Sequence, residues 1–116
     1  MPAERMRRVN EAVREVLSAR LAEGLADPRI GFLTVTAVET STDLRRASVF
    51  VSVLGSEDER AATLAGLRSS SGLLQAAIAR ELRMKRTPTL DFVYDESIDR
   101  GMRITELLQD EDENGA

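Results

Sequence analysis

Residues 56–94 read SEDERAATLAGLRSSSGLLQAAIARELRMKRTPTLDFVY, and this stretch decides the fold. It opens on a capping box, in which the Ser56 hydroxyl accepts from the Glu59 amide and the Glu59 carboxylate accepts from the Ser56 amide. Apolar residues at helical spacing continue on both sides of the SSSG sequence at 69–72. The second helix ends before Thr87-Pro88, because the residue preceding a proline is pushed out of the helical region. The stretch predicts two helices that meet at a Ser/Gly break, and then a strand.

The residues before this stretch predict one helix and two strands. Apolar residues three and four apart predict a helix over 4–25, which Gly24 and Asp27-Pro28 bring to an end. Residues 30–39 and 47–54 alternate in the manner of strands, and the polar turn at 40–43 makes them an antiparallel pair. Both faces of the second strand are fairly apolar, which is typical of a central strand.

The predicted order is helix, strand, strand, helix, helix, strand, and a last short helix from Ile98 to Leu108 that Asp95 or Ser97 can cap. A helical crossover between parallel strands winds right-handed, which places the helices on one face of a small three-stranded mixed sheet. We therefore predict a single two-layer α+β domain over residues 1–108. Residues 109–116 are expected to form a disordered acidic tail.

Composition excludes most enzyme chemistry. The 116 residues, 42% of them hydrophobic, suit one domain, and they include no Cys and no His. Disulfides, thiolate nucleophiles, imidazole bases and Cys/His zinc sites are thereby removed. A magnesium site of carboxylates stays open as the least favoured alternative, although capping and solvation explain its candidate residues: Asp91, Asp95, Glu96 and Asp99. We expect a protein that is not an enzyme and that needs no cofactor or metal.

No apolar run approaches the ~20 residues that cross a bilayer, and the first residues lead into a charged helix rather than an apolar signal segment. A cytoplasmic protein without membrane contact is therefore expected.

Charge is distributed unevenly along the chain. The net charge of -4 argues at first against a nucleic-acid partner, because phosphate affinity comes mainly from Lys and Arg. Four of the acidic residues, however, lie together at 110–113, while 66–90 contains five basic residues and one acidic residue. Arg80, Arg83 and Arg86 recur every three residues along a predicted helix flank, with Lys85 adjacent. Such an edge fits a phosphate backbone, or equally a solvated helix end whose dipole favours cations.

Short motifs extend across nearly the whole chain. Arg5-x-x-Arg8-Val9 precedes Asp27-Pro28-Arg29-Ile30, Thr34-Val35-Thr36-x-Val38 and Asp43-Leu44-x-x-Ala47. Arg83-x-Lys85-x-x-Pro88-x-Leu90-x-Phe92, Tyr94-Asp95-x-Ser97 and Gly101-Met102-Arg103 follow. The succession of elements resembles a KH domain of the type II (bacterial) topology, α-β-β-α-α-β. In their order and spacing, the motifs resemble the ribosome-binding factor A family from about Arg5 to Leu108.

The resemblance implies a monomeric assembly factor without catalytic activity. Its partner would be the free or immature 30S small ribosomal subunit with its precursor 16S rRNA, and no small-molecule substrate is implied. It would assist late 16S rRNA processing and subunit maturation, with a role in cold adaptation. The alternative is an adaptor module that binds a protein through its exposed sheet edge and makes no RNA contact.

The resemblance also implies an interrupted helix in place of the Gly-x-x-Gly loop of KH domains. Its matching position here is the break at 70–72, where Gly72 lets a backbone come close and the following amides could face a phosphate. A plain helix corner with Ser71 as N-cap is the other interpretation. Phe92 and Tyr94 could stack on bases, but we expect them in the core. The residues expected to contact RNA are Ser70, Ser71, Gly72, Arg80, Arg83, Lys85 and Arg86, and more weakly Arg7, Arg8, Arg45, Arg46, Arg100 and Arg103.

Overall fold

The computed structural model describes residues 2–97. Their helices are α1 (Pro2–Glu23), α2 (Glu57–Ser69) and α3 (Ser71–Leu82), and their strands are β1 (Leu33–Thr40), β2 (Arg46–Val53) and β3 (Thr89–Tyr94). This order confirms the predicted α+β domain with KH-like topology and an interrupted helix. The predicted last helix, the domain boundary at residue 108 and the acidic tail lie outside the described residues.

One mixed sheet is formed in the order β1-β2-β3. β1 pairs antiparallel with β2, from Leu33 opposite Val53 to Thr40 opposite Ala47, with a register shift between Val35 and Ala37. β2 pairs parallel with β3. The central position predicted for the second strand is therefore confirmed.

The helices cover one face of the sheet. Alternate residues of β2, from Ala47 to Val53, are buried, while those between them are only half-buried. Against this face lie Val13 and Leu17 of α1, Leu67 of α2, and Leu74 and Ile78 of α3, all fully buried. Full burial of such an aliphatic side chain contributes roughly 1.5–3 kcal/mol.

The two aromatic residues of β3 belong to this packing. Phe92 is 2% exposed, which confirms that it belongs to the core rather than to a base-stacking surface. Tyr94 is half-buried and packs against the core cluster, with the guanidinium carbon of Arg60 4.5 Å from its ring centre. The expectation that both rings pack inward is met.

The start of α2 is the capping box that the sequence predicts. The Glu59 amide donates to Ser56 Oγ and the Ser56 amide donates to Glu59 Oε1, both at 3.2 Å. α1 ends at Glu23, because Gly24 adopts a left-handed φ of 92° and its amide donates to the Leu21 carbonyl. β1 begins three residues later than predicted, at Leu33, since the preceding residues pack on α2 instead.

The end of α3 differs from the prediction. The helix stops at Leu82, and Arg83 adopts a left-handed conformation with φ 49° and ψ 41°, from which its amide donates to the Ala79 carbonyl. A left-handed residue terminates a helix by satisfying one of its last carbonyls. The prediction that Arg80, Arg83 and Arg86 share a helix flank was therefore wrong, because only Arg80 is helical.

Candidate nucleic-acid interface

α3 separates the main residues expected to contact RNA, other than Arg80, into two groups. One group belongs to the helix break, residues 69–72, at the start of α3. The other is the basic loop, residues 83–86, which follows the end of α3. At ~1.5 Å per residue, Gly72 and Arg83 are on the order of 16 Å apart along the helix axis. The structure therefore does not bring the two groups together into one patch.

At the helix break, Ser70 is both the C-cap residue of α2 and the N-cap residue of α3. Its amide donates to the Gly66 and Leu67 carbonyls at 3.1 and 3.0 Å, while its side chain makes no cap hydrogen bond to α3. The Ser71 hydroxyl donates back to the Arg68 carbonyl at 2.8 Å, so the interpretation of Ser71 as N-cap was wrong. The first amides of a helix lack intrahelical acceptors and favour an anion, so this end of α3 suits a phosphate.

Gly72 is a glycine that the fold does not require. A Cβ placed there would meet no atom within 4 Å, and its φ lies outside the left-handed region that favours glycine. The space beside Gly72 is open, so the backbone of a partner has room to approach.

The basic loop presents its cations to solvent. Arg83, Lys85 and Arg86 are exposed, while Met84 is half-buried and packs against the core cluster. The following Pro88 is buried, and its carbonyl accepts from Gln75 Nε2 of α3 at 2.9 Å. Among residues 2–97, none of the three cations forms an ion pair. The loop is anchored by its apolar residues, and within residues 2–97 its three cations face solvent.

The β1–β2 hairpin lies beside the end of this loop. The Thr89 amide donates to the Arg45 carbonyl at 2.8 Å, which joins the start of β3 to the hairpin. Arg45 makes only a 3.8 Å contact with Asp43, whereas Arg46 Nη2 lies 2.9 Å from Asp91 Oδ2. Of these two weaker candidates, Arg45 has the more loosely paired charge and is the better placed to contact a phosphate.

Arg80 lies in different surroundings. It lines a groove between α1 and α3 together with Glu15, Arg20, Glu23 and Glu81. The three carboxylates of this groove outnumber its two cations, so Arg80 is the weakest of the four cations that were expected to form the basic edge.

The remaining weak candidates are only partly described. Arg7 and Arg8 are exposed near the start of α1. Asn10 of the same helix accepts from the Thr40 amide at 2.8 Å, which places this half of α1 at the hairpin end of the sheet. Arg100 and Arg103 lie outside the described residues.

Sequence reasoning missed Arg29, which lies beside the helix break. Its Nη2 donates to Ser69 Oγ at 2.9 Å and to Asp27 Oδ2 at 2.6 Å. Hydrogen bonds to Asp27, first from the Arg29 side chain and then from its amide, lower the pKa of that carboxyl to about 2. The Asp27-Pro28-Arg29 motif signalled a turn, but nothing in it indicates a partner 40 residues away.

Comparison with known proteins identifies the family. The family model described as ribosome-binding factor A matches residues 5–108. The chain belongs to the ribosome-binding factor A family. A ribosome-binding factor A from Geobacter metallireducens is 45% identical over 107 residues, which cover 92% of this chain and 91% of that relative. The resemblance carried by the motifs is thus confirmed.

Solved structures of ribosome-binding factor A share the fold. The crystal structure of the Thermus thermophilus protein matches with a TM-score of 0.67 at 34% identity, covering 77% of this chain and 94% of that chain. A Thermus thermophilus ribosome-binding factor A homology model, fitted into the cryo-EM map of a 30S complex, matches with a TM-score of 0.59 at 34% identity. That match covers 73% of this chain and 89% of the fitted one.

Two of the carboxylates that were considered for a magnesium site have partners within the fold. Asp91 pairs with Arg46, and Asp95 accepts from the Thr36 hydroxyl at 2.6 Å and from the Ser97 amide at 2.9 Å. Within residues 2–97 no three metal-ligating side chains are grouped as a cation site would need, and Asp99 lies beyond them. No helix in that range is both long and apolar enough to span a bilayer.

Proposed function

We propose that this chain is an assembly factor that binds the small ribosomal subunit through 16S rRNA. The observation that carries the proposal is the basic loop, whose three exposed cations have no ion-pair partner among residues 2–97. The relative fitted into the map of a 30S complex, at 34% identity, supports the same partner. Late 16S rRNA processing, subunit maturation and growth at low temperature are the processes that such a factor would assist, as a monomer and without catalysis.

Phosphate contacts explain how the loop would bind. Each Lys or Arg that neutralises a phosphate releases a condensed counterion, so the logarithm of the binding constant falls by about 0.7–0.9 per contact for each unit of log salt. Three loop cations therefore predict a slope of roughly -2 to -3. Contacts from the helix break would add hydrogen bonds from neutral amides, which contribute little to this slope.

The proposal is tested by sedimenting the purified protein with immature and mature small subunits across a salt series. Binding that weakens steadily with salt is expected, with immature subunits preferred. A wild-type protein that fails to sediment with either subunit at low salt would contradict the proposal.

Replacing Gly72 by Ala is expected to leave the fold intact and to weaken subunit binding by roughly 3- to 10-fold, the effect of about one lost contact. The added methyl meets no protein atom, and Ala favours a helix over Gly by up to ~1 kcal/mol, so thermal stability is unchanged or slightly raised. A partner backbone held close to this position would be displaced. The measurement pairs a thermal melt with subunit sedimentation, and unchanged binding would remove the helix break from the interface.

The alternative of a protein-binding adaptor is supported by one observation. Phe32 and Leu54 are 83% and 78% exposed, and the Leu54 amide donates to the Phe32 carbonyl at 3.0 Å. Together they form an apolar patch where the edge strand β1 begins. Such a patch is the kind of surface that binds an apolar protein partner.

Changing both patch residues to Ser separates the two functions. Because both side chains are on the surface, the stability is expected to change by no more than ~0.5 kcal/mol per site. Under the RNA-binding proposal, sedimentation with subunits stays within about twofold of the wild type. Binding that resists RNase and is lost in this double variant would establish the adaptor instead.

A further inference from the structure

The loop between α1 and β1 packs along one side of α2. Thr63, Gly66 and Ser69 recur every three residues on that side, and each of them meets this loop. The buried Thr63 hydroxyl donates to the Arg29 carbonyl at 3.4 Å and accepts from the Gly31 amide at 3.2 Å. The close approach of Ile30 to Gly66 completes the contact. The loop therefore follows α2 up to its last residue.

At Ser69, the last residue of α2, the loop and the helix are joined by hydrogen bonds of Arg29 to Asp27 and to Ser69, and we call this set the Asp27–Arg29–Ser69 tie. Arg29 Nε donates to both Asp27 carboxylate oxygens at 3.0 and 3.2 Å, and Nη2 donates to Oδ2 at 2.6 Å. The Arg29 amide also donates to Asp27 Oδ1 at 2.9 Å. This fork-shaped pairing fixes the guanidinium in direction, and the same Nη2 reaches Ser69 Oγ at 2.9 Å.

Arg29 is better suited to positioning than to contacting phosphate. The Asp27 carboxylate compensates its charge, and its Nε and Nη2 donors already serve Asp27 and Ser69. Ser69 is the first residue of the helix break, and the side chain of the next residue, Ser70, makes no cap hydrogen bond. Helix ends fray readily, so a hydrogen bond from a neighbouring loop restricts the last turn of α2.

We propose that the Asp27–Arg29–Ser69 tie is a positioning device that fixes the end of α2 and thereby the direction in which the first amides of α3 face their partner. The effect on RNA binding rests on the proposed function. The tie itself is a property of the free protein, and can be measured there.

Two variants remove the Arg29–Ser69 hydrogen bond in different ways. Ser69→Ala removes only the acceptor, keeps the Asp27–Arg29 pair and places a good helix former in α2. Arg29→Gln removes the guanidinium. The matched control is Arg14→Gln, which breaks the exposed Arg14–Glu11 ion pair on α1, away from the helix break.

Amide hydrogen exchange of Ser70 and Leu74 in the free protein is the first measurement, because these two amides are hydrogen-bonded, Ser70 to the Gly66 and Leu67 carbonyls and Leu74 to the Ser70 carbonyl. Ser69→Ala and Arg29→Gln are expected to accelerate exchange there by roughly 3- to 10-fold, the effect of one hydrogen bond, while exchange in β2 stays unchanged. Arg14→Gln leaves the Ser70 and Leu74 amides at the wild-type rate. Unchanged exchange in both tie variants would overturn the proposal.

Subunit sedimentation across a salt series is the second measurement. Both tie variants are expected to bind roughly 3- to 10-fold more weakly with the wild-type salt slope, since no phosphate contact is lost. A slope reduced by about one in Arg29→Gln but not in Ser69→Ala would show Arg29 on a phosphate and overturn the positioning role. A wild-type protein that binds no subunits would contradict the proposed function alone, because the exchange result does not depend on RNA.

Discussion

Reversing the charge of Arg83 and Lys85 together, by Arg83→Glu and Lys85→Glu, is expected to weaken binding to small subunits by at least about tenfold at moderate salt. Both side chains are exposed in the basic loop, so the reversal replaces two attractive charges by two repulsive ones. The fold is expected to persist, because Met84 and Pro88 anchor the loop and the Arg83 amide still caps α3. Sedimentation across a salt series measures the loss, and circular dichroism checks the fold.

The matched control is Arg14→Glu with Arg20→Glu, which changes the net charge equally on α1. Its two substitutions break exposed ion pairs with Glu11 and Glu23, each worth a few tenths of a kcal/mol. An equal loss of binding in both double variants would mean that subunits respond to net charge rather than to the basic loop. Full binding by the loop variant would remove that loop from the interface.

Replacing Gly66 by Ala is expected to lower the free energy of unfolding by about 1–3 kcal/mol, the usual cost of overpacking. Helix propensity alone predicts the opposite, since Ala is favoured over Gly by up to ~1 kcal/mol. A Cβ at Gly66, however, would stand 2.6 Å from Ile30 Cγ1 and 3.4 Å from Asp27 Cγ. Cγ1 is attached directly to Cβ, so it moves only if the stiff χ1 torsion of the β-branched Ile30 rotates or the loop shifts.

Urea unfolding measures this effect, and Gly72→Ala is its natural control. Both substitutions add one methyl to a helical glycine, but only the one at Gly66 meets another atom within 4 Å. If Gly66→Ala were as stable as the wild type, the loop would have moved off α2 without cost, and its close packing there would not contribute to stability.

The features predicted correctly depend on local signals. The three- and four-residue spacing in α1, the alternation in β1 and β2, and the Ser56–Glu59 capping box each act within a few residues of chain. Given that β2 and β3 are parallel, the rule that crossovers are right-handed places α2 and α3 on one face of the sheet. Each of these signals involves only residues that are near one another in the sequence, so the fold could be predicted from the sequence.

The features that were mispredicted or missed depend on contacts between distant residues. The spacing of Arg80, Arg83 and Arg86 continues a helical pattern, and Arg83 carries no local signal for the left-handed region. The chain leaves the helix there to reach β3, whose start is held by the Arg45 carbonyl, while Gln75 holds the Pro88 carbonyl. The contact of Arg29 with Ser69 likewise exists only once the loop packs on α2.

The length of α3 has a consequence for what the proposed interface can discriminate. The helix break and the basic loop lie at the two ends of α3, so together they can bind one RNA at two points. Once one end is bound, the effective concentration of RNA at the other end is raised. A folded rRNA already holds two phosphates at a fitting separation, whereas an unstructured stretch must lose chain entropy to do so. Two contacts at a fixed distance therefore favour locally folded rRNA, which immature subunits already contain, over an unstructured stretch, without reading a single base.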